Sequence, residues 1–391
     1  MILVDKPYLS DFLKQTLADH KLPVIATAVS AEMGLPANTT LVTENDAVTR
    51  LTGADATKIY TVSENSIGWI AEYLKGTELP EKVSLFKNKA TFRSLIQPLY
   101  PDFFFQEIAA DQLDSLNFAS LPKPFIIKPT VGFFSMGVHK VHTLEEWEDT
   151  KAAICAELQQ GAELYPEAVL NSASMILEEC IEGDEFAVDA YFDSNGEPVI
   201  TNILHHIFSS ESDVSDRVYL SSKKIIEENL LPFTAFLNSI GELAQIRNFP
   251  MHVEVRRTAA GTICPIEINP LRFGGWCTTA DMTWFAYGFN PYLYYFQQQR
   301  PNWNEILKQK QDKLYSVIVL DNSSGIEGEQ IASFDYAALL AGFAKPLELR
   351  RIDYREYPVF GFLFAETDVN DQSELEYILK SDLREYVTPI G

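Results

Sequence analysis

The segment HVEVRRTAAGTICPIEINP, residues 252–270, constrains this chain more than any other feature. Two apolar runs flank Ala260-Gly261, which reads as the turn of a hairpin. Each run carries an acid where a core residue belongs. Glu254 lies in one, and Glu267 lies 13 positions later in the other, with Asn269 two further on. In a hairpin turning near Gly261 the two glutamates fall roughly opposite each other. Strand alternation puts Glu267 and Asn269 on one face. Facing carboxylates between apolar strands repel one another and lose hydration. Three oxygen donors on one face suit a hard cation such as Mg²⁺, with Mn²⁺ as a substitute.

Charge and apolar patterning remove several function classes. The 391 residues hold 55 acidic and 31 basic side chains, a net charge of −24. With no Lys/Arg cluster to override that field, phosphate backbones and anionic membranes are repelled, so neither nucleic acid nor membrane is expected as a partner. No apolar run reaches the ~20 residues of a membrane span. The first apolar run stops at Asp5, too short for a signal-peptide core. The four cysteines (Cys155, Cys180, Cys264, Cys277) form no CxxC pair and read as free thiols of a cytoplasmic protein.

The coarse pattern is α/β with an α+β body. In residues 1–85, short strands at 2–4, 24–26, 40–42 and 59–62 alternate with helices at 8–19 and 67–74, which predicts a small parallel sheet. The first strand runs into Val4-Asp5-Lys6-Pro7 with no GxGxxG, which argues against a nicotinamide or flavin site there. Residues 86–122 hold a helix from Lys89 to about Leu99 and lead to a strand at 103–106. Residues 123–190 and 191–313 read as antiparallel strands with Asn195-Gly196 at a turn. Helices are expected at 144–160, 226–248 and 279–298. Residues 314–391 read as a further α/β segment, with strands at 317–320 and 358–364 and a helix at 373–380.

Three more patches accompany the acidic hairpin. FIIKPTVGFFSMGVHKV places Lys128 at a strand end and brackets residues 133–136 with Gly132 and Gly137, a turn able to lay backbone N–H groups against phosphate. MILEECIEGDEFAV ends an apolar strand in Glu178, whose carboxylate suits the amino group of adenine. Glu185, seven residues on, could accept from ribose hydroxyls, although an acidic surface loop would read the same way. Arg272, in LRFGG directly after the hairpin, could grip a phosphate or a substrate carboxylate in bidentate fashion.

In their order and spacing, NKATFR with Lys89, FIIKP with Lys128, the glycine loop, the 178–185 stretch and the 254–269 hairpin together resemble the ATP-grasp superfamily over roughly residues 86–300. That family includes D-alanine–D-alanine ligase, biotin carboxylase, the carbamoyl-phosphate synthetase large chain and the L-amino-acid ligases. The resemblance implies ATP held between two α+β subdomains, behind a small preceding α/β domain. It implies that Lys89 and Lys128 hold phosphates, and that Ser135, Met136 and Gly137 belong to the loop covering them. Glu178, Glu179 and Ile181 match the adenine segment, Glu185 the ribose acceptor, and Glu254, Glu267 and Asn269 the Mg²⁺ ligands. Arg272 matches a catalytic arginine, displaced one position by Leu271. His205, His206, Arg217 and His252 fall where substrate contacts are expected. The implied reaction is ATP-dependent ligation of a carboxylate to an amine, with amino acids or peptides as substrates. The alternatives are a phosphotransferase or a non-catalytic ATP-binding protein. A homodimer is one of the open assembly states.

Overall fold

The computed structural model describes residues 1–53, 57–132, 137–164, 174–210 and 215–391, with backbone alone at 157–164. Among the described residues three larger sheets organise the chain, beside a two-stranded one that pairs Ile331–Phe334 with Val387–Pro389. The first is parallel and four-stranded, in the order Leu41–Thr43, Val24–Ala26, Ile2–Leu3, Tyr60–Thr61. The second is antiparallel, in the order Phe105–Ala109, Ser174–Glu179, Phe125–Pro129, His139–Val141. The third has eight strands. Its order is Ile263–Pro270, Phe249–Arg257, Asp184–Phe192, Pro198–Ile207, Val218–Ser222, Lys313–Asp321, Val359–Asp368 and Pro346–Arg351.

Alternation within Asp184–Phe192 explains how the large sheet is used. Phe186, Val188, Ala190 and Phe192 are buried and apolar. They face the long helix Lys223–Ala244, where the Phe186 and Phe233 rings meet at 5.4 Å. A Cβ on Gly241 would lie 2.3 Å from Phe192, so glycine permits that helix to sit this close to the sheet. Glu185, Ala187 and Asp189 point to the opposite face. Ser222 caps the helix, accepting from Ile225 N–H, and left-handed Gln245 ends it.

Several boundaries differ from the pattern in the sequence, for local reasons. The aromatic stretch expected as one helix over 279–298 is two, Thr278–Tyr287 and Pro291–Gln297. Gly288 terminates the first at φ +77°, and Pro291 opens the second, where a missing N–H costs nothing. The helix expected at 226–248 runs instead over Lys223–Ala244. The strands expected at 317–320 and 358–364 lie in Lys313–Asp321 and Val359–Asp368, which extend the same eight-stranded sheet as the acidic hairpin, whereas Ile331–Phe334 and Val387–Pro389 pair only with each other. Among the described residues no helix is long and apolar enough to cross a membrane.

The far edge of that sheet is tied back to the site by one ion pair. Arg350 Nη2 lies 2.6 Å from Asp281 Oδ2, both side chains 1% exposed. Its Nη1 donates to the Trp276 carbonyl at 3.2 Å, and Tyr292 O–H donates to the other Asp281 oxygen. Arg350→Met would leave the Asp281 carboxylate buried without its cation, a loss of about 3–5 kcal/mol for pairs of this kind. Urea unfolding should register that drop. Arg350→Met/Asp281→Leu should recover a measurable part of it, because the second change removes the stranded charge.

Candidate active site

The hairpin forms as its sequence suggests. Glu254 pairs directly with Glu267, and His252 with Asn269, with the turn at Gly261 (φ +89°). The neighbouring strand sets Glu185 beside Arg256, Ala187 beside Glu254 and Asp189 beside His252. His206 lies beside Glu185 one strand further on. Alternation therefore gathers Glu254, Glu267, Asn269, Glu185, Asp189, His252 and His206 on one face. The single-carbon side chain of Ala187 keeps the centre of that face low.

Cations meet this face from the second sheet and the helix before it. Asn88 caps the helix Lys89–Ile96, and Lys89 N–H donates to the Thr130 carbonyl at 2.8 Å. The helix start is thereby fixed to the end of the Lys128 strand. Lys89 Nζ sits 2.7 Å from Glu267 Oε2. One turn on, Arg93 Nη2 lies 2.9 Å from Glu178 Oε2, and Lys128 Nζ approaches the same oxygen at 3.5 Å. All three of these side chains are buried. Burial pushes the Glu178 carboxyl up, but Lys128 and then Arg93 outweigh it and hold it below the usual range. Glu178 Oε1 is buried with no partner, an acceptor awaiting a donor.

The two facing carboxylates behave oppositely. Burial, then the charge of Glu267, pushes Glu254 well above the ordinary carboxyl range. Burial also pushes Glu267 up, but Lys89 leads a set of cations that reverses this and holds it ionised. The Asn269 amide donates to Glu267 Oε1 at 3.2 Å. Two carboxylates and one amide oxygen form a donor set that a hard divalent cation would satisfy. Among the described residues no group of three or more His, Cys, Asp or Glu is arranged to hold a metal. The third oxygen donor on this face is the Asn269 amide, across from His252.

The adenine-type segment follows Glu179, whose carboxylate accepts from Phe104 N–H. Cys180–Glu182 leave the sheet, and the Ile181 carbonyl accepts from Arg256 Nη1 at 3.0 Å. Gly183, at φ +108°, passes so close to Arg257 that a Cβ would stand 2.3 Å from its carbonyl oxygen. Glu185 accepts from His206 Nδ1 at 2.9 Å and Arg256 Nε at 3.0 Å. At the glycine loop, Gly137 has φ +69°, whereas Ser135 and Met136 lie outside the described residues.

The four candidate substrate residues separate. His252 and His206 lie on the acidic face. His252 Nδ1 contacts the fully buried Asp189 at 2.7 Å, and its Nε2 stands 3.8 Å from Glu254. His206 is stacked on Tyr219, with its ring nitrogens toward Glu185 and the Ser215 carbonyl. His205 points to the other face and stacks on Phe186 at 4.8 Å. Arg217 is occupied by Asp321 at 2.6 Å, Ser323 and the carbonyls of Ile378 and Ser381. The structure thus places these two apart from the acidic face: His205 lies on the side of its strand that carries Phe186 toward the long helix, and Arg217 braces the chain's C-terminal part.

Arg272 stays at the site despite the additional Leu271. Leu271 adopts φ +63°, a left-handed kink immediately before Arg272. Sequence reasoning passed over Arg93, Lys87, Glu64 and Asp189. Arg93 was findable, being four residues after Lys89 on one helix face. Glu64 meets Arg272 across 208 residues, and no local pattern announces it.

The fold is that of the ATP-grasp proteins. Residues 121–280 match the ATP-grasp domain family. The chain is similar to the L-arginine-specific L-amino acid ligase of Bacillus subtilis, 26% identical over 155 residues. That match covers 39% of this chain and 34% of the relative, about a third of its length. The crystal structure of L-amino acid ligase from Bacillus licheniformis superposes with TM-score 0.68 at 16% identity, covering 100% of this chain and 98% of that one. N5-carboxyaminoimidazole ribonucleotide synthetase from Thermotoga maritima gives 0.61 at 14% identity, covering 100% and 99%. These likenesses establish the fold.

Opposite signs of stability follow from the carboxylate pair. A carboxyl whose folded pKa is raised stabilises fully below its unfolded pKa and loses that contribution as pH rises toward the folded one. In metal-free buffer the wild type should lose stability on this account as pH rises above the ordinary carboxyl range. Glu254→Gln should flatten that loss and raise the melting temperature at the upper end. Glu267→Gln strands Lys89 and should lower stability by about 1–3 kcal/mol. Thermal unfolding across the pH series reads both effects, and a parallel response of the two variants would refute the assignment of charge.

Proposed function

We propose that this protein is an ATP-dependent ligase that joins a carboxylate to an amine through an acyl phosphate, releasing ADP and phosphate. The reading extends the ATP-grasp fold to a reaction. One observation carries it: an oxygen-donor face bearing Glu254, Glu267 and Asn269 is met by Lys89 at one side, Lys128 and Arg93 behind, and Arg272 beyond the hairpin. That arrangement suits a polyphosphate whose transferring group needs charge neutralised from several directions.

In this reading Lys89 and Lys128 hold the phosphates. Adenine lies against residues 178–181, with its amino group on Glu178 Oε1, and the ribose hydroxyls lie on Glu185. Glu254, Glu267 and Asn269 would hold Mg²⁺, which would supply neutralisation of phosphate charge. A substrate carboxylate oxygen attacks the γ-phosphorus as the bond to the β-phosphate oxygen breaks and ADP leaves. Arg272 stabilises the equatorial oxygens. The amine then attacks the acyl carbon, the carbon–oxygen bond to phosphate breaks, and the amine loses a proton. Positioning and electrostatics carry most of the work. His252, oriented by Asp189, and His206 are the two histidines placed to meet substrate. Amino acids or short peptides are the expected substrates, a choice supported by the similarity to the two L-amino acid ligases. The free thiols of Cys155, Cys180, Cys264 and Cys277 support a cytoplasmic setting.

Phosphate release measured over pairs of amino acids, with product masses read out, tests the proposal. At least one pair should give ADP, phosphate and a condensed product in equal amounts. Glu267→Gln should reduce that turnover by roughly two orders of magnitude or more. ADP formed with a phosphorylated product and no condensation would replace the ligase with a phosphotransferase.

A further inference from the structure

We propose that Glu64, contributed by the N-terminal unit, is a positioning residue that holds Arg272 and Lys87 together at the phosphoryl-transfer end of the site. The proposal rests on the ligase reading above and adds to it a part for residues 1–85.

Glu64 opens the short helical turn Glu64–Ser66, which follows the strand Tyr60–Thr61 and is capped by Ser63. Its side chain is 9% exposed. Oε1 accepts from Arg272 Nη2 at 2.6 Å, and Oε2 contacts Lys87 Nζ. Lys87 ends the helix Leu79–Lys87, two residues before Lys89. Its ammonium also donates to the Gly132 carbonyl at 3.2 Å, at the root of the glycine loop. Backbone fixes the same junction, because Thr61 N–H donates to the Leu271 carbonyl at 2.8 Å, one residue before Arg272. The other guanidinium arm, Nη1, donates to the Phe273 carbonyl at 2.8 Å. Burial raises the Glu64 carboxyl, but Lys87 and then Arg272 outweigh it and keep it ionised.

The charge count gives this arrangement a direction. One carboxylate holds two cations, so the trio keeps a net positive charge and attracts an anion rather than cancelling it. An arginine on a free stem spreads over many rotamers, and ordering it as charge develops adds to the barrier. Ordering it beforehand removes that cost from the reaction step. Glu64 therefore acts through Arg272 and Lys87 and touches no reacting atom.

A mere staple between two parts of the chain would show the same contacts, so the test must separate the two roles. Glu64→Gln keeps the side-chain shape, Glu64→Asp keeps the charge on a shorter stem, and Glu64→Ala removes both. If Glu64 positions Arg272, Glu64→Ala should cut kcat by at least about tenfold, leave KM for ATP within about threefold, and be partly restored in Glu64→Asp. Added to Arg272→Ala, Glu64→Ala should cause no further loss, because the route it acts through is gone. A staple predicts the reverse: lower melting temperature, unchanged kcat per folded molecule, and losses that multiply with Arg272→Ala. That result in Glu64→Gln or Glu64→Ala would overturn the proposal.

A second readout needs no turnover. Side-chain NMR of the Arg272 guanidinium should show slow rotation in the wild type and faster rotation in Glu64→Ala and Glu64→Gln. If no carboxylate–amine pair reacts in the wild type, the ligase reading fails while the guanidinium measurement still judges Glu64. Unchanged rotation in both variants would refute the positioning role.

Discussion

Two carboxylates placed opposite one another on adjacent strands cannot both be charged without a cation between or beside them. The pair Glu254–Glu267 imposes that condition on everything near it. Lys89 answers it from a helix start, and the Thr130 carbonyl fixes that start to the second sheet. The junction between the two antiparallel sheets is therefore set by electrostatics as well as by apolar packing. Glu178 repeats the logic at depth, with Arg93 and Lys128 sharing a single oxygen. The charges of this face hold the chain together as well, which is why the two glutamates of one hairpin differ so sharply in what each contributes to stability.

What was legible in the sequence was local. Alternation and a glycine turn were enough to place Glu254 across from Glu267, because strand geometry leaves little freedom once the turn is known. The parallel order of the first sheet followed from strands and helices alternating at short intervals. His205 shows the limit of the same reasoning. Two adjacent histidines on a strand must face opposite sides, and only the sheet's surroundings decide which side is the site. Arg217 shows another limit, since its partners Asp321 and Ser381 lie more than a hundred residues away. Long-range ion pairs leave no periodic trace in a sequence. The same holds for Glu64, whose importance rests on a contact that no window around it could suggest.

The continuity of the eight-stranded sheet alters how the chain's parts relate. Strands from residues 314–391 pair with Val218–Ser222, which itself pairs with the strand carrying His206. Arg350 then reaches from the last strand in sheet order to the loop beyond Arg272. The C-terminal part is thus mechanically joined to the acidic hairpin by two routes, hydrogen-bonded ladder and buried ion pair. A disturbance in one reaches the site through the other.

Leu271 sits between a strand that must keep its register and an arginine that must keep its place. By turning left-handed it redirects the backbone immediately before the guanidinium-bearing residue. Its side chain is buried, so packing rather than glycine-like freedom holds the kink. The direction in which the chain leaves the hairpin is consequently set by the core that grips Leu271 as much as by the hairpin itself, much as the wall behind a hinge decides how a door hangs.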